Sequence, residues 1–178
     1  MGTKLSNLRT LNSNFARAYK YSFSITDLAA LTSRLSLPTL KPEELETSCL
    51  NVVMPNEGTQ MIEVEVGIHT MKLNGRKDKG GVINPEFILN GNYDIYKFFR
   101  AWQFAAAPDV LTEVQTPSGL LLATIHITAR DVKNDKTTTI ELQNAWCRNC
   151  NEINFSDDSN DIVRWSPEIV YEFSQVIQ

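Results

Sequence analysis

The chain has 178 residues, 42% hydrophobic and 21% charged, which is typical of one globular domain and excludes wholesale disorder. Its 21 acidic residues outnumber 17 basic ones, for a net charge of −4. That balance argues against a protein whose main role is to grip nucleic-acid phosphates, because this role needs a clustered basic surface. The longest apolar runs fall far short of the ~20 residues of a membrane-spanning helix, and no signal-like run opens the chain, so we expect it to fold in a cytoplasm.

Two runs along the chain predict half-buried strands. Over residues 19–26 aromatic or aliphatic side chains alternate with polar ones, and over residues 60–68 the alternation places Glu63 and Glu65 opposite aliphatic side chains. Strict alternation is typical of a strand with one buried face. The second pattern breaks at the charged, glycine-rich residues 74–82, which we expect to form a hairpin tip before a strand resumes.

The segment between these two runs is expected to protrude. Residues 28–37 fit either a strand or a short helical turn. Pro38 and Pro42 then oppose regular structure, because proline lacks a backbone donor and clashes with a preceding helical turn. Residues 38–60 are therefore predicted to form a long loop or a protruding hairpin.

One substantial helix is predicted in the middle of the chain. Asn92 can cap it, Asp94 lies in its first turn, and Pro108 ends it. Its apolar side chains fall on one face at helical spacing: Ile95, Phe98, Phe99, Trp102 and Ala106.

Strand patterns fill the remainder of the chain. Residues 120–132 and 136–146 are two strands joined by a hairpin turn, and residues 153–155 and 162–176 add further strand-like runs. The chain thus contains about eight strands and one substantial helix, without regular alternation of the two. This predicts a mainly β fold, an antiparallel sandwich or barrel with one flanking α-helix.

Cys147 and Cys150 have the spacing of a zinc knuckle or a redox pair. A structural zinc site needs four ligands, and the other candidates are Cys49 and the histidines His69 and His126, which lie on separate strands. A thioredoxin-like dithiol requires a helix after the pair, and none is predicted. We therefore interpret the pair as a turn between two strands, with a disulfide left open.

No other pattern supports catalysis or a bound cofactor. Asp157, Asp158 and Asp161 resemble half of a calcium loop, but the required glycine and terminal glutamate are missing. The glycine-rich residues 75–81 lack the spacing of a phosphate-binding loop. No serine or cysteine has a histidine at a recognisable spacing. The expectation is therefore no enzyme, no metal and no cofactor.

The order of features from residue 15 to residue 176 is nevertheless distinctive. A "FAR" tripeptide precedes the first strand, a Leu-Pro pair opens the long loop, and a Lys/Arg-rich hairpin precedes the helix ending in "FFRAWQ". A later strand ends in "ARD", and Trp146 precedes a short turn, an acidic segment and a final alternating run. This series resembles the tail tube protein family of contractile-tailed bacteriophages. Cys147 departs from it, since the family often has proline there.

The resemblance implies a virion structural protein. Its fold would be a single tail tube domain over residues 1–178, with an arm at about 38–60 and a hairpin tip at about 74–82. Six copies would form a ring in which their strands pool into one inner β-barrel, and stacked rings would conduct double-stranded DNA. The implied partners are further copies, tape-measure, sheath, baseplate and tail terminator proteins, with no membrane. Assembly would take place in the host cytoplasm.

Residues can be assigned to these expected roles. The candidates for an arm reaching a neighbouring subunit are Lys41, Glu43, Glu44, Leu45, Leu50, Val52, Val53 and Met54. Ring stacking is expected at Arg76, Lys77 and Lys79. Because duplex DNA carries one negative charge per ~1.7 Å, a neutral or acidic lumen lets it slide. The lumen candidates are accordingly Glu63, Glu65, Thr137, Thr139 and Glu141.

Two other functions remain open at this point. The same fold would serve the tube of a type VI secretion or extracellular contractile injection system, which delivers protein. A monomeric β-sandwich that binds a small molecule or carbohydrate is the alternative from a different class. Such a binding module would stay near 20 kDa in solution, whereas a tube protein would form rings or tubes.

Overall fold

The computed structural model describes residues 20–55, 58–78, 80–106, 121–131, 136–153, 155 and 161–177. Its helices are α1 (Leu28–Leu35), α2 (Pro42–Ser48) and α3 (Asp94–Ala106). Its strands are β1 (Tyr21–Thr26), β2 (Cys49–Asn51), β3 (Gly58–Val66), β4 (His69–Asp78), β5 (Gly81–Ile83), β6 (Glu86–Ile88), β7 (Ala123–Arg130), β8 (Lys136–Cys150), β9 (Arg164–Trp165), β10 (Pro167–Tyr171) and β11 (Phe173–Ile177). The prediction of a mainly β, antiparallel, sandwich-like fold is confirmed.

The long strand β8 connects the two halves of the main sheet. Its first half pairs with β7 on one side and β11 on the other, while its second half pairs with β10, which in turn pairs with β5. Strand β1 extends the sheet beyond β7, and every pairing is antiparallel. The smaller sheets are β2–β6–β9 and the two-stranded β3–β4.

A corner in β8 separates these halves. Asn144 has a positive φ of 55°, and the register against β7 shifts there, so that two residues of β8 oppose one of β7. On the other side, Glu172 interrupts β10 and β11. The Asn144 side-chain amide donates to the Glu172 carboxylate at 2.6 Å, and the Glu172 backbone N–H donates to the Gln143 carbonyl at 3.1 Å. Both strands therefore bend together at one clamped point.

The core lies between the main sheet and helix α3. The helix buries Ile95, Phe98, Phe99 and Trp102, the face that the sequence predicts, while Ala106 is only half-buried. Ring contacts continue from Phe99 to Phe87 at 5.7 Å and on to the β1 side chain Phe23 at 5.6 Å. Fully burying each such ring contributes about 1.5–3 kcal/mol, so this aromatic row holds the helix on the sheet.

The cap of helix α3 differs from the expected one. Asn90, not Asn92, accepts the backbone N–H of Asp94, at 3.1 Å. Its amide also donates to the carboxylates of Asp94 at 2.7 Å and Glu44 at 2.8 Å. Tyr93, between cap and helix, adopts a positive φ of 57°. The capping residue therefore lies two positions earlier because the chain turns through Tyr93 before the helix begins.

The expected loop over residues 38–60 is wrong for much of its length. Residues 42–48 form helix α2 and residues 49–51 form a strand. Pro42 occupies the first turn of α2, where its missing N–H costs nothing, and Glu43 and Glu44 favour the positive end of the helix dipole. Of the two options left open for residues 28–37, the helix is the one that forms.

Two predicted turns are strands instead. Strand β4 continues through Asp78, so residues 74–78 are not a hairpin tip. Strand β8 continues to Cys150, and the pair Cys147 and Cys150 lies within it rather than in a turn. In both places a β-bulge interrupts the alternation on which the sequence prediction relied. The expected turn at 133–135 and most of the acidic segment lie outside the described residues.

We predict that Asn144→Ala destabilises the folded protein by about 1–2 kcal/mol more than Asn144→Gly, because only glycine adopts positive φ without a steric cost. Both variants lose the hydrogen bond to Glu172, so the difference isolates the backbone. Urea denaturation of the three proteins measures it. Equal stability of the two variants would mean that the corner imposes no conformational demand.

Candidate assembly surface

Strands β3 and β4 form a hairpin, hereafter the β3–β4 hairpin, that is a sheet of its own. Its register pairs Val66 with His69 at the turn and Gly58 with Asp78 at the base. The turn is at Gly67, with a φ of 62°, and Ile68, whose side chain is 94% exposed. The protruding segment of the subunit is therefore this hairpin and not the residues that precede it.

The two faces of the β3–β4 hairpin differ in chemistry. Alternation along β3 and the register with β4 place five exposed apolar side chains on one face: Ile62, Val64, Val66, Met71 and Leu73. The opposite face carries Glu63, Glu65, Thr70 and Lys72, and the Lys72 ammonium lies 3.7 Å from the Glu63 carboxylate. The hairpin is thus amphipathic although every described side chain of β3 is exposed.

An amphipathic pair of strands with an uncovered apolar face is incomplete. An isolated two-stranded hairpin is marginally stable in water, and contiguous exposed apolar patches mark interaction sites. Covering each half-exposed aliphatic side chain of this face would contribute on the order of 1 kcal/mol. The β3–β4 hairpin therefore has the composition of a surface that another chain covers.

The residues predicted to stack rings lie near the hairpin base. Arg76 is exposed in β4, Lys77 pairs with Thr59 of β3, and Lys79 lies outside the described residues. The bulge at Gly75 and Arg76 opposes the single residue Gln60. A Cβ on Gly75 would approach the Gln60 carbonyl oxygen to 2.7 Å, so glycine here serves close strand contact rather than a turn.

The residues predicted to form an arm lie partly in the core and partly on the surface. Leu45 is 1% exposed and belongs to the core, and Val52 packs against the core. Glu44 receives the hydrogen bond from Asn90 that holds the start of α3. The members that remain on the surface are Lys41, Glu43, Leu50, Val53 and Met54. A role of these residues in reaching a neighbour stays a prediction.

Four strands of the main sheet, in the order β1–β7–β8–β11, present an outer face that is polar except for Phe173 and Ile177 of β11. The predicted lumen residues Thr139 and Glu141 lie on it, and Thr137 is in the same strand, its side chain outside the description. The hydroxyls of Thr128 and Thr139 are 3.1 Å apart across β7 and β8. Glu63 and Glu65, the other predicted lumen residues, are instead on the β3–β4 hairpin.

Glu141 is the centre of a hydrogen-bond network on this polar face. His126 Nε2 lies 3.2 Å from one carboxylate oxygen, and the amides of Gln143 and Gln175 donate to the other. These amide donors, followed by His126, lower the pKa of Glu141 below its ordinary value. The carboxylate therefore ties β7, β8 and β11 together while it is charged.

Strands β1 and β11 stand at the two ends of this four-stranded array. Within the described residues, β1 pairs only with β7, and β11 pairs only with β8. Because each successive pair is antiparallel, β1 and β11 run in opposite directions. Such edge strands are templates for pairing with another chain, and β1 of one copy can meet β11 of another in antiparallel fashion.

Other kinds of site were sought over the same ranges. No group of three or more His, Cys, Asp or Glu side chains in the described residues is arranged to hold a metal ion. Nor does the described part include a helix long and apolar enough to cross a membrane.

Solved structures share this architecture. A chain of the sheath–tube complex of the PVC extracellular contractile injection system aligns with a TM-score of 0.61 and 13% identity, over 92% of this chain and 91% of that chain. A chain of the tube-terminating cap of the anti-feeding prophage (AFP) gives 0.64 and 11% over 92% and 91%. The AFP baseplate contributes a match of 0.62 and 10% over 92% and 95%. The chain has the fold of contractile injection system components.

The likeness spans nearly the whole of each chain, so the fold of those components accounts for the entire subunit and not for one part of it. At 10–13% identity it concerns the fold alone. No protein-family model and no curated protein matches the sequence.

We predict that Glu141→Gln flattens the acid side of the stability profile of the unassembled subunit. The folded-state pKa of Glu141 is lowered, so its contribution is complete above about pH 4.3, the ordinary value for glutamate, and is lost as the pH falls through the folded pKa. Wild type should therefore lose more stability than the variant between pH 5 and pH 2. If the unfolding temperatures of wild type and variant fall by the same amount between pH 5 and pH 2, the role assigned to the Glu141 carboxylate is contradicted.

Proposed function

We propose that this protein is a structural subunit of the tube of a contractile tail or injection particle, assembling into hexameric rings that stack. The observation that carries the proposal is the β1–β7–β8–β11 array, whose edge strands run in opposite directions and whose outer face is mainly polar. Edge strands of this kind allow a head-to-tail ring in which all neighbours pair antiparallel. Closure of the ring removes both exposed edges of this array.

The strand number supports a ring wide enough for a duplex. Barrels of about 16–18 strands already enclose an aqueous channel, and six copies contributing four strands each would give about 24. The polar face would then line the lumen, since the opposite face carries the aromatic core and α3. Arg130, a cation near this face, is engaged by Glu46 at 3.4 Å, so it is a weak trap for a polyanion.

The β3–β4 hairpin supplies the second kind of contact. Its apolar face would be covered by an adjacent subunit, either around the ring or in the next ring along the axis. Interfaces of obligate assemblies bury roughly 2,000–5,000 Å², and an amphipathic hairpin of this length is a direct route to such areas. Sheath, tape-measure, baseplate and terminator proteins are the further partners that a tube requires.

Two cargoes are compatible with such a tube. Our leading proposal is passage of double-stranded DNA in a phage tail, in keeping with a lumen face that carries the Glu141 carboxylate. A tube that delivers protein is the second candidate, and it is favoured by the matches to chains of the PVC and AFP particles. Negative-stain microscopy of the purified protein tests the tube itself, since rings or tubes support it and a persistent monomer contradicts it.

We predict that Val64→Lys with Met71→Glu, which places opposite charges on a directly paired position, abolishes assembly without unfolding the subunit. Both side chains are exposed on the apolar face of the β3–β4 hairpin, so the charges cost little in the monomer but would be desolvated in an interface. Light scattering and circular dichroism report assembly and fold separately.

Thr70→Lys is the matched control for this double variant. Thr70 lies on the polar face of the same hairpin, opposite Glu65, where a lysine gains a favourable neighbour. The control should assemble like wild type. Normal rings from the apolar-face variant, or equal loss in both, would exclude the apolar face as the contact.

We also predict that Thr139→Lys permits assembly but slows DNA release from complete particles. Each ring would place six additional cations on the lumen face, and these would bind the phosphate backbone. Raising the ionic strength should restore the release rate, because salt weakens phosphate contacts. Normal DNA release from the variant at low salt would show that this strand face does not contact the DNA. If the particles prove to carry protein instead of DNA, the proposal that the chain forms a tube is unaffected.

A further inference from the structure

The thiols of Cys147 and Cys150 are brought together by a bulge. In a regular strand, residues three apart point to opposite faces. Here Ile169 of β10 pairs with Cys147 and Glu168 pairs with Asn149, leaving Arg148 as an extra residue. The bulge returns both cysteines to one side, and their sulfur atoms lie 3.9 Å apart. Both are free thiols.

The two thiols differ in access. Cys147 is fully buried, whereas Cys150 is half-buried and lines a groove of about 720 Å³ between the start of α3 and the chain after β8. The groove also contains Lys97, Arg100 and Glu152, together with the aromatic rings of Tyr93 and Tyr96. A reagent in the groove therefore meets Cys150 first, with Cys147 directly behind it.

The electrostatic surroundings favour a nucleophilic Cys150. The hydrogen bond from Cys147 and the charge of Arg100 lower the pKa of Cys150, and burial opposes them. The same contact and its own burial raise the pKa of Cys147. Cys150 is therefore the more accessible and more readily ionised thiol and Cys147 the buried one, a division typical of an attacking and a resolving cysteine.

We propose that Cys150 and Cys147 form a redox-active dithiol that closes to an intrachain disulfide by exchange with a small anionic disulfide of the glutathione class. The Cys150 thiolate attacks one sulfur of that disulfide and releases the first thiolate. Cys147 then attacks the Cys150 sulfur of the mixed disulfide and releases the second. Two electrons end on two molecules of the small thiol, one of which takes the proton of Cys147 and the other the proton that Cys150 released to solvent when it ionised, which accounts for every atom.

The groove matches this class of oxidant. Lys97 and Arg100 provide two cations for its carboxylates, against the single carboxylate of Glu152. Closing the bond requires the sulfur atoms to approach from 3.9 Å to about 2.05 Å. The half-buried side chain of Cys150, at the last residue of β8, is the partner with room to move.

Cys49 provides an internal control. It is buried in the core, and burial raises its pKa to about 12, so it should be inert towards the same reagent. In the reduced, folded full-length protein, Cys150 should be alkylated roughly tenfold or more faster than Cys49, with Cys147 protected. This labelling needs no variant and is read by peptide mass spectrometry.

The exchange itself is tested with oxidised glutathione. Wild type and Cys49→Ser should each lose two thiols and two hydrogen masses, with the link mapped to Cys147 and Cys150. Cys147→Ser should instead accumulate a glutathione adduct on Cys150, and Cys150→Ser should not react. Equal labelling of Cys49 and Cys150, a link between different chains, or an adduct that persists in wild type would overturn the proposal. These readouts are independent of whether the protein forms tubes.

Discussion

The corner at Asn144 is the constraint from which the architecture of the subunit follows. Strand β8 bends at Asn144, and the chain between β10 and β11 bends beside it at Glu172. A single long strand therefore belongs to two arrays of strands. The first half joins β1, β7 and β11, and the second half joins β10 and β5.

The corner also separates the roles of the two sheet faces. The inner face holds the aromatic row and is complete within one chain, as the buried residues around Phe23 and Phe99 show. The outer face of the first array is mainly polar and carries the Glu141 network, while its edges and the β3–β4 hairpin are incomplete. Stability of the fold and capacity for association are therefore located on different parts of the subunit.

The sequence predicts the elements whose periodicity is uninterrupted. Strand β1 and the buried face of α3 follow from alternation or helical spacing alone. Residues 60–66 also form a strand, but the prediction that this strand is half-buried is wrong, because every described side chain of β3 is exposed. The elements that were predicted wrongly contain a β-bulge or a helix cap. Gly75 and Arg148 lie at β-bulges that interrupt the alternation, and at both places a turn was predicted inside a strand, from the charged glycine-rich composition in the first case and from the cysteine spacing and family order in the second. Pro42 was interpreted as a breaker although a proline in a first turn, followed by acidic residues, favours a helix start.

Some predicted site residues were placed correctly and others were not, again depending on whether the local pattern is regular. The polar faces holding Thr139 and Glu141 follow from alternation, and both residues lie where a polar face was expected. The protruding element could not be located, because a loop and an uncovered hairpin have similar compositions; Leu45 was consequently assigned to the surface. The proximity of Cys147 and Cys150 depends on a register shift with a strand twenty residues later, which local spacing does not reveal.

The uncovered hairpin has a consequence for how copies of this chain would begin to associate. A hairpin that is only marginally stable alone becomes ordered when a neighbouring chain binds it. The first copies to associate therefore lose the conformational entropy of the hairpin while they gain few contacts. Later arrivals join a template that is already rigid. Growth from a preformed platform would then outpace spontaneous initiation, which keeps newly made subunits dispersed until such a platform exists.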